Sequence, residues 1–217
     1  MLHLGLPSGG GHPLRVLALG CHADDVEIGC GATLLRLLEE APATEVVWVV
    51  FSARGERGEE ARLSAEEMLT GAGSTDVRLH EFRDGYFPYQ GAEIKDVFEA
   101  IKGEVEPDLV LTHRRDDLHQ DHRLVCELTW NTFRDHLVLE YEIPKYDGDM
   151  GRPNVYVPVD EATARRKVEI LTRHFQTQGN KHWFTEDLFW GLMRLRGMEA
   201  GSPSGFAEGL YGRKVVL

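Results

Sequence analysis

Apolar and polar positions alternate in two rhythms over the first 135 residues. Residues 15–20 (RVLALG) form a short unbroken apolar run closed by glycine, the pattern of a strand buried on both faces. A polar stretch, CHADDVEIGCG, follows and reads as a loop. ATLLRLLEE then sets its leucines at helical spacing. Residues 45–52 (EVVWVVFS) are rich in valine and predict a second strand. Residues 53–58 read as a loop leading into a charged helix that reaches Met68 and Leu69. Residues 77–82 alternate apolar and polar, as a strand nearer a sheet edge does. An amphipathic helix over 92–105 stops before Pro107, a buried strand covers 108–112 (DLVLT), and a helix covers 124–133. Strand and helix in turn predict an α/β fold: a Rossmann-like open, mostly parallel sheet with helices on both faces. The last third differs. Residues 141–159 mix prolines and glycines with two short β-like pieces, and helices are expected over 161–175 and 186–196.

Composition narrows the class. The 217 residues, 42% hydrophobic, suit a single domain over 1–217, without repeat or linker, whose first 14 residues, with Ser8-Gly9-Gly10-Gly11, are expected to be flexible. A net charge of −12 gains nothing from counterion release, so nucleic acid is not expected as a partner. No apolar run is long enough to span a bilayer. Residues 1–13 carry no Lys or Arg and are not read as a secretory signal. Three cysteines (Cys21, Cys30, Cys126) make no full disulfide set and point to a reducing, cytoplasmic setting.

Two polar clusters follow buried strands: His22-Ala23-Asp24-Asp25 after RVLALG, and His119-Gln120-Asp121-His122 after DLVLT. In doubly wound sheets ligands bind beyond the carboxyl ends of the strands, so both clusters are expected on one crevice. A hydrolytic zinc takes three protein ligands and keeps one position open. Ferrous iron uses two histidines and a carboxylate. His22 and Asp25, three residues apart, can face one point and His122 can complete the set. Asp24 is then a free carboxylate for a water proton, and His119 a group for the oxyanion or leaving amine. Against this stands the ordinary reading of each part: HxxH pairs are common on surfaces, and Asp25 before an apolar helix can be an N-cap. Gly29-Cys30-Gly31 lacks the third glycine of a dinucleotide fingerprint, since position 34 is Leu34.

These residues resemble the LmbE-like (PIG-L) deacetylases. LALGCHADDVEIGCGATL is similar to the family's first motif, with Glu27, Gly29 and Gly31 at its later positions. HRRDDLHQDHRLV is similar to the second motif, and FSARGERG to the arginine-glycine-acidic segment. The resemblance implies zinc, with iron as the alternative, held by His22, Asp25 and His122. It implies Asp24 as general base, His119 at the oxyanion and leaving group, and Arg54 on substrate hydroxyls. It also implies removal of acetate from a small or carrier-linked N-acetyl amino sugar. Ala23 and Gln120 stand where the family favours proline, which loosens a loop without removing a ligand. Cys21 is read as a small buried filler.

His113 and Asp117 are further candidates for the sugar pocket. Tyr86, Phe87, Tyr89, Trp130 and Tyr146 are candidates for an aromatic platform, with core packing favoured for Trp130. His174 and Gln178 have packing or pocket roles open to them, and His12, His80, His136 and His182 receive none. Substrate choice is expected from residues 82–89 and 141–154. An amidase for a thiol-sugar conjugate or longer acyl chain keeps the same metal site. A non-catalytic sugar- or nucleotide-binding module would have no use for a free Asp24. Self-association is left open.

Overall fold

The apolar run after Leu14 becomes the middle of the sheet. In the computed structural model, which describes residue 5 and residues 11–215, β1 (Arg15–His22) alternates its side chains between two cores. Val16 and Ala18 face one, and Leu17, Leu19 and Cys21 the other. Of the lead-in expected at residues 1–14, only residues 5 and 11–14 lie within the described residues. The chain continues through α1 (Asp25–Glu40), β2 (Glu45–Ser52), α2 (Glu56–Met68), β3 (Ser74–Leu79) and α3 (Gly91–Glu104). Next come β4 (Leu109–His113), α4 (Gln120–Thr132), β5 (Leu137–Tyr141), β6 (Val155–Val159), α5 (Glu161–His174), α6 (Glu186–Ala200) and β7 (Phe206–Gly212).

The sheet order is β3-β2-β1-β4-β5-β7-β6. The first five strands run parallel, and β7 pairs antiparallel with both β5 and β6. Helices cover both faces: residues of α1, α2, α5 and α6 fill one core, while Ile94, Phe98 and Ile101 of α3 and Val125 of α4 fill the other. This is the mostly parallel, doubly covered sheet that the alternating pattern predicts. Pro158 sits in the edge strand β6, where a missing N–H is tolerated.

Three local features differ from the sequence reading. The stretch expected as a polar loop is helical from Asp25, its ladder opening with Ile28 N–H donating to Asp24 O (3.0 Å). Gly29 is there for close packing: a Cβ would lie 2.1 Å from Tyr141 Cδ2. α1 is also broken at Cys30 (φ −146°, ψ 18°). A buried ion pair fills the break, with Lys167 Nζ 2.6 Å from Glu208 Oε1. Lys167 donates to the Ile28 carbonyl (2.6 Å), and Glu208 accepts from the N–H groups of Ala32 (3.0 Å) and Thr33 (2.7 Å). The pair thus closes the end of one half-helix and caps the start of the next. Finally, β7 lies in a segment where no strand was expected. Its Gly209 and Glu208 break the apolar signal because the glutamate points at α1 rather than at a hydrophobic core.

Candidate active site

β1 ends in His22 and β4 ends in His113, and these two strands are neighbours from which the chain winds outward in opposite directions. That switch point opens a crevice at the carboxyl ends of the strands. The start of α1 brings Asp24 and Asp25 to it, and the start of α4 brings His119, Asp121 and His122. The two clusters, far apart in sequence, meet here.

Three donor atoms converge. His22 Nδ1 lies 3.2 Å from Asp25 Oδ2 and 3.2 Å from His122 Nε2, and the last two are 3.6 Å apart. Ligands about 2.0–2.1 Å from a tetrahedral zinc stand roughly 3.3–3.4 Å from one another, so the triangle has the edge length of such a site. The protons support the same assignment. Asp117 is held ionised, its pKa well below the carboxylate range: burial opposes this, but His122, His113 and Lys145 outweigh it. An ionised carboxylate only accepts, so His122 Nδ1–H donates to Asp117 Oδ2 (3.0 Å). Burial first, then the neighbouring His113, pushes His122 down to about 3, so its Nε2 carries a lone pair at neutral pH. His22 Nε2 faces two acids, Asp84 Oδ1 at 3.1 Å and Asp121 Oδ2 at 3.4 Å, which places the proton of the neutral ring there and its lone pair, on Nδ1, towards the triangle. Lone pairs from two imidazoles and a carboxylate, nearly out of solvent, call for a cation. Burial lowers the His22 pKa, but Asp25, Asp121 and Asp84 together raise it well above the usual value. Asp25 is pushed well below its own: burial acts against this, and His122, His113 and His22 prevail.

Beside the triangle, Asp24 is 5% exposed and lines the cleft. Burial raises its pKa above its ordinary value, although Arg57 Nη2 donates to its Oδ1 at 2.9 Å. His119 also lines the cleft. Its Nδ1 accepts weakly from the Asp121 N–H (3.3 Å) as the cap of α4, which leaves the proton on Nε2. Burial, then the charge of His22, lowers its pKa, so the ring is a neutral Nε2–H donor.

The cleft has a volume of about 570 Å³. His22, Asp24, Asp25, His119, His122 and Arg54 all border it. His113 and Asp117, expected against a sugar, do not: they are 0% and 2% exposed and sit behind the site. Asp117 orients His122 and is tied to Lys145 Nζ (2.9 Å) and the His119 N–H (2.7 Å). His113 Nε2 accepts from the Cys21 N–H (3.0 Å) and lies 3.3 Å from Asp25 Oδ2. The Tyr141 hydroxyl is 3.1 Å from the same nitrogen. Cys21 is fully buried and its pKa is raised well above the usual value, first by burial and then by Asp25, which keeps it a thiol. Of the aromatic candidates, Phe87 is buried, Tyr86, Tyr89 and Tyr146 are exposed, and none borders the cleft; Trp183 does. Trp130 donates to Glu140 Oε1 (2.7 Å), a packing role. His174 pairs with Glu67 (2.6 Å), and Gln178 is a cleft wall.

Four contributors were not singled out from the sequence. Arg57 holds Asp24, Asp84 and Asp121 hold His22, and Lys145 holds Asp117. Asp121 lies within the second cluster and also accepts from the N–H groups of Gly85 (2.7 Å) and Phe87 (3.1 Å), tying the loop after β3 to α4. The other three carry no spacing signal, because they come from separate segments.

A cluster of carboxylates and histidines that could hold a metal, at the switch point of an open α/β sheet, is the class this geometry defines. The chain belongs to the PIG-L family, described as GlcNAc-PI de-N-acetylases, whose family model matches residues 17–133. A relative from Escherichia coli (strain K12), the uncharacterized deacetylase YaiS, is 28% identical over 172 residues, covering 73% of this chain and 89% of its own. The N,N'-diacetylchitobiose deacetylase from Pyrococcus horikoshii superposes with a TM-score of 0.69 at 18% identity, over 92% of this chain and 83% of its own. GalB, the 4-carboxy-2-hydroxymuconate hydratase from Pseudomonas putida KT2440, superposes with a TM-score of 0.71 at 16% identity, over 94% and 98%. A deacetylase and a hydratase share the fold, so the reaction has to be argued from the site.

Proposed function

We propose that the protein is a zinc-dependent N-deacetylase that hydrolyses the acetamide of an N-acetyl amino sugar, free or carrier-linked, to amine and acetate. The observation that carries this reading is the triangle of His22 Nδ1, Asp25 Oδ2 and His122 Nε2 with the unligated carboxylate of Asp24 beside it. Family membership and the deacetylase names of relatives support it.

Zinc held by His22, Asp25 and His122 would lower the pKa of a water and polarise the acyl oxygen; iron would serve the same donor set. The chain's own groups do the rest. Asp24, its basicity raised by burial and its orientation fixed by Arg57, accepts the water proton as the water oxygen bonds to the acyl carbon. His119 offers its Nε2–H to the oxygen on which negative charge develops, and a neutral donor suffices for that. When the carbon–nitrogen bond breaks, Asp24 returns its proton to the departing nitrogen. Asp117 and Asp121 hold the imidazoles in the tautomers this requires.

The test is metal analysis of the purified protein followed by acetate release from a panel of N-acetyl amino sugars and glycosides. One equivalent of zinc or iron with acetate release is expected. Metal without acetate release from any sugar would move the substrate to a longer acyl group or a thiol conjugate. Failure to bind metal after reconstitution would overturn the reading.

A further inference from the structure

In an unbroken helix the Ala32 N–H would donate to the Ile28 carbonyl, four residues back. In α1 each has another partner. The N–H donates to Glu208 Oε1 (3.0 Å), the carbonyl accepts from Lys167 Nζ (2.6 Å), and the backbone between them leaves helical geometry at Cys30. A side chain inserted into the hydrogen-bond ladder is a physical cause of a sharp kink. The inserted pair is itself buried, with Lys167 2% and Glu208 4% exposed. Two charges taken out of water are costly, and an apolar pair of similar volume generally serves stability as well or better. Stability alone therefore does not account for the pair.

The break sets off the stretch from Asp25 to Gly29, which carries Asp25 and has Asp24 at its start. It is little more than one turn, too short to hold a direction of its own, so its contacts decide where the two carboxylates point. At its start the His22 N–H donates to Asp25 Oδ2 (2.7 Å). At its end Gly29 lies so close to Tyr141 that no Cβ would fit, and the Tyr141 hydroxyl donates to the Leu19 carbonyl (2.6 Å). Lys167 holds the Ile28 carbonyl beside it. His22 closes β1 and His122 lies within α4, so regular elements carry both histidines. Asp25 alone of the three donors depends on this short turn. Its Oδ2 stands 3.2 Å from His22 Nδ1 and 3.6 Å from His122 Nε2, and a swing of about an ångström would open the triangle past the edge length of a tetrahedral zinc site.

We propose that Lys167 and Glu208 are positioning residues: wedged into the ladder of α1, they hold the turn bearing Asp24 and Asp25 at the angle the metal triangle needs. The proposal rests on the metal reading of that triangle. Lys167 lies on α5 and Glu208 on β7, both beyond residues 17–133, so the C-terminal third shapes the metal site without touching it.

The experiment measures zinc affinity of the full chain by chelator competition, and stability of the metal-free protein by urea unfolding. Lys167→Met combined with Glu208→Leu removes the wedge as a unit and lets the Ala32 N–H return to the Ile28 carbonyl. Zinc affinity should fall about tenfold or more, as it does when a group that orients a ligand is lost, while stability stays level or rises. Lys167→Met alone should lose affinity similarly at a cost in stability, so the test does not hinge on one variant folding. Glu208→Gln keeps an acceptor for the Ala32 N–H and leaves the Lys167 amine on the Ile28 carbonyl, and its affinity should stay close to that of the wild type. Leu171→Ala, fully buried on the same helix as Lys167, is the control for loosened packing and should lose stability without losing affinity. A double variant that binds zinc as tightly as the wild type overturns the proposal. So does an affinity loss that merely tracks lost stability across the variants, Leu171→Ala included. A wild-type protein that binds no zinc overturns the metal reading and this inference together. Zinc bound by the wild type and weakened in the double variant, with no acetate released from any N-acetyl amino sugar, upholds this inference and removes the deacetylase reading.

Discussion

Replacing Asp117 with Asn conserves volume but removes one charge and one acceptor from behind His122. The carboxylate is 2% exposed. Its Oδ1 accepts from the His119 N–H at 2.7 Å, while its Oδ2 takes His122 Nδ1–H at 3.0 Å and Lys145 Nζ at 2.9 Å. Asn brings one oxygen and one NH2 to three donors. If the oxygen stays on the His119 N–H, the NH2 faces two donors. If the amide turns over, the His119 N–H faces the NH2. Either way at least one charge-assisted hydrogen bond is lost in a buried place, a cost of about 1.5–3 kcal/mol. The effect on metal arises separately. A carboxylate behind an imidazole fixes the ring and raises the basicity of its far nitrogen, and losing it costs about 10–100-fold in metal affinity. Protonation does not confuse the result: burial and His113 already hold His122 near 3, and removing Asp117 only lowers it further, so the ring is neutral at pH 7 in both proteins. Chelator competition gives the metal affinity, and urea unfolding of the metal-free protein gives the stability. Asp149→Asn, which leaves Asp117 in place, should show a much smaller change in affinity. An Asp117→Asn protein that binds metal as tightly as the wild type would refute the orienting role.

Asp24→Asn should keep metal content and lose about 10²–10⁴-fold in turnover; a rate within a few-fold of wild type would remove Asp24 as the base. Lys167→Met leaves Glu208 buried without its counter-charge and the Ile28 carbonyl without its donor, and should cost about 3–5 kcal/mol in urea unfolding; a cost below about 1 kcal/mol would show that the break in α1 is held by packing instead. His80 lies against Phe51, and burial, then the charge of Arg78, lowers its pKa. The unfolded chain therefore takes up a proton as pH falls below about 6.5 while the folded state resists it, so stability is lost on acidification. His80→Phe should flatten that loss in melting curves between pH 7.5 and 5.5, and parallel curves for the two proteins would count against it.

The sequence made the site's position legible because both clusters are polar residues attached directly to apolar strands. His22 closes β1 and His119–His122 follow β4, so the strand pattern alone brings them together. Facing was not legible. Asp117 lies behind the cleft rather than on its wall, and adjacency along the chain does not say whether a carboxylate looks into the cleft or supports a histidine from behind. Arg57, Asp84 and Lys145 act through pairings between distant segments, which no local spacing records. The start of α1 was hidden because its first turns carry acids and glycines where a helical stripe would show leucines. β7 was hidden for a related reason, since its buried Glu208 serves the break in α1.

That strand also sets an order of events during synthesis. Among the described residues β7 is the last of the seven strands to be made, yet it lies between β5 and β6, and there β6 has no other neighbour in the sheet. Until β7 emerges from the ribosome, β6 has nothing to pair with. The N–H groups of Ala32 and Thr33 also lack their acceptor, and Lys167 lacks its counter-charge. The second half of α1 is therefore capped, and the Lys167 that closes the half starting at Asp25 is neutralised, only when residue 208 docks, although the matched family stretch, residues 17–133, was completed long before. A nascent chain can carry His22, Asp25 and His122 before β7 has docked, so firm retention of a metal by the proposed site would mark a chain in which that strand is in place.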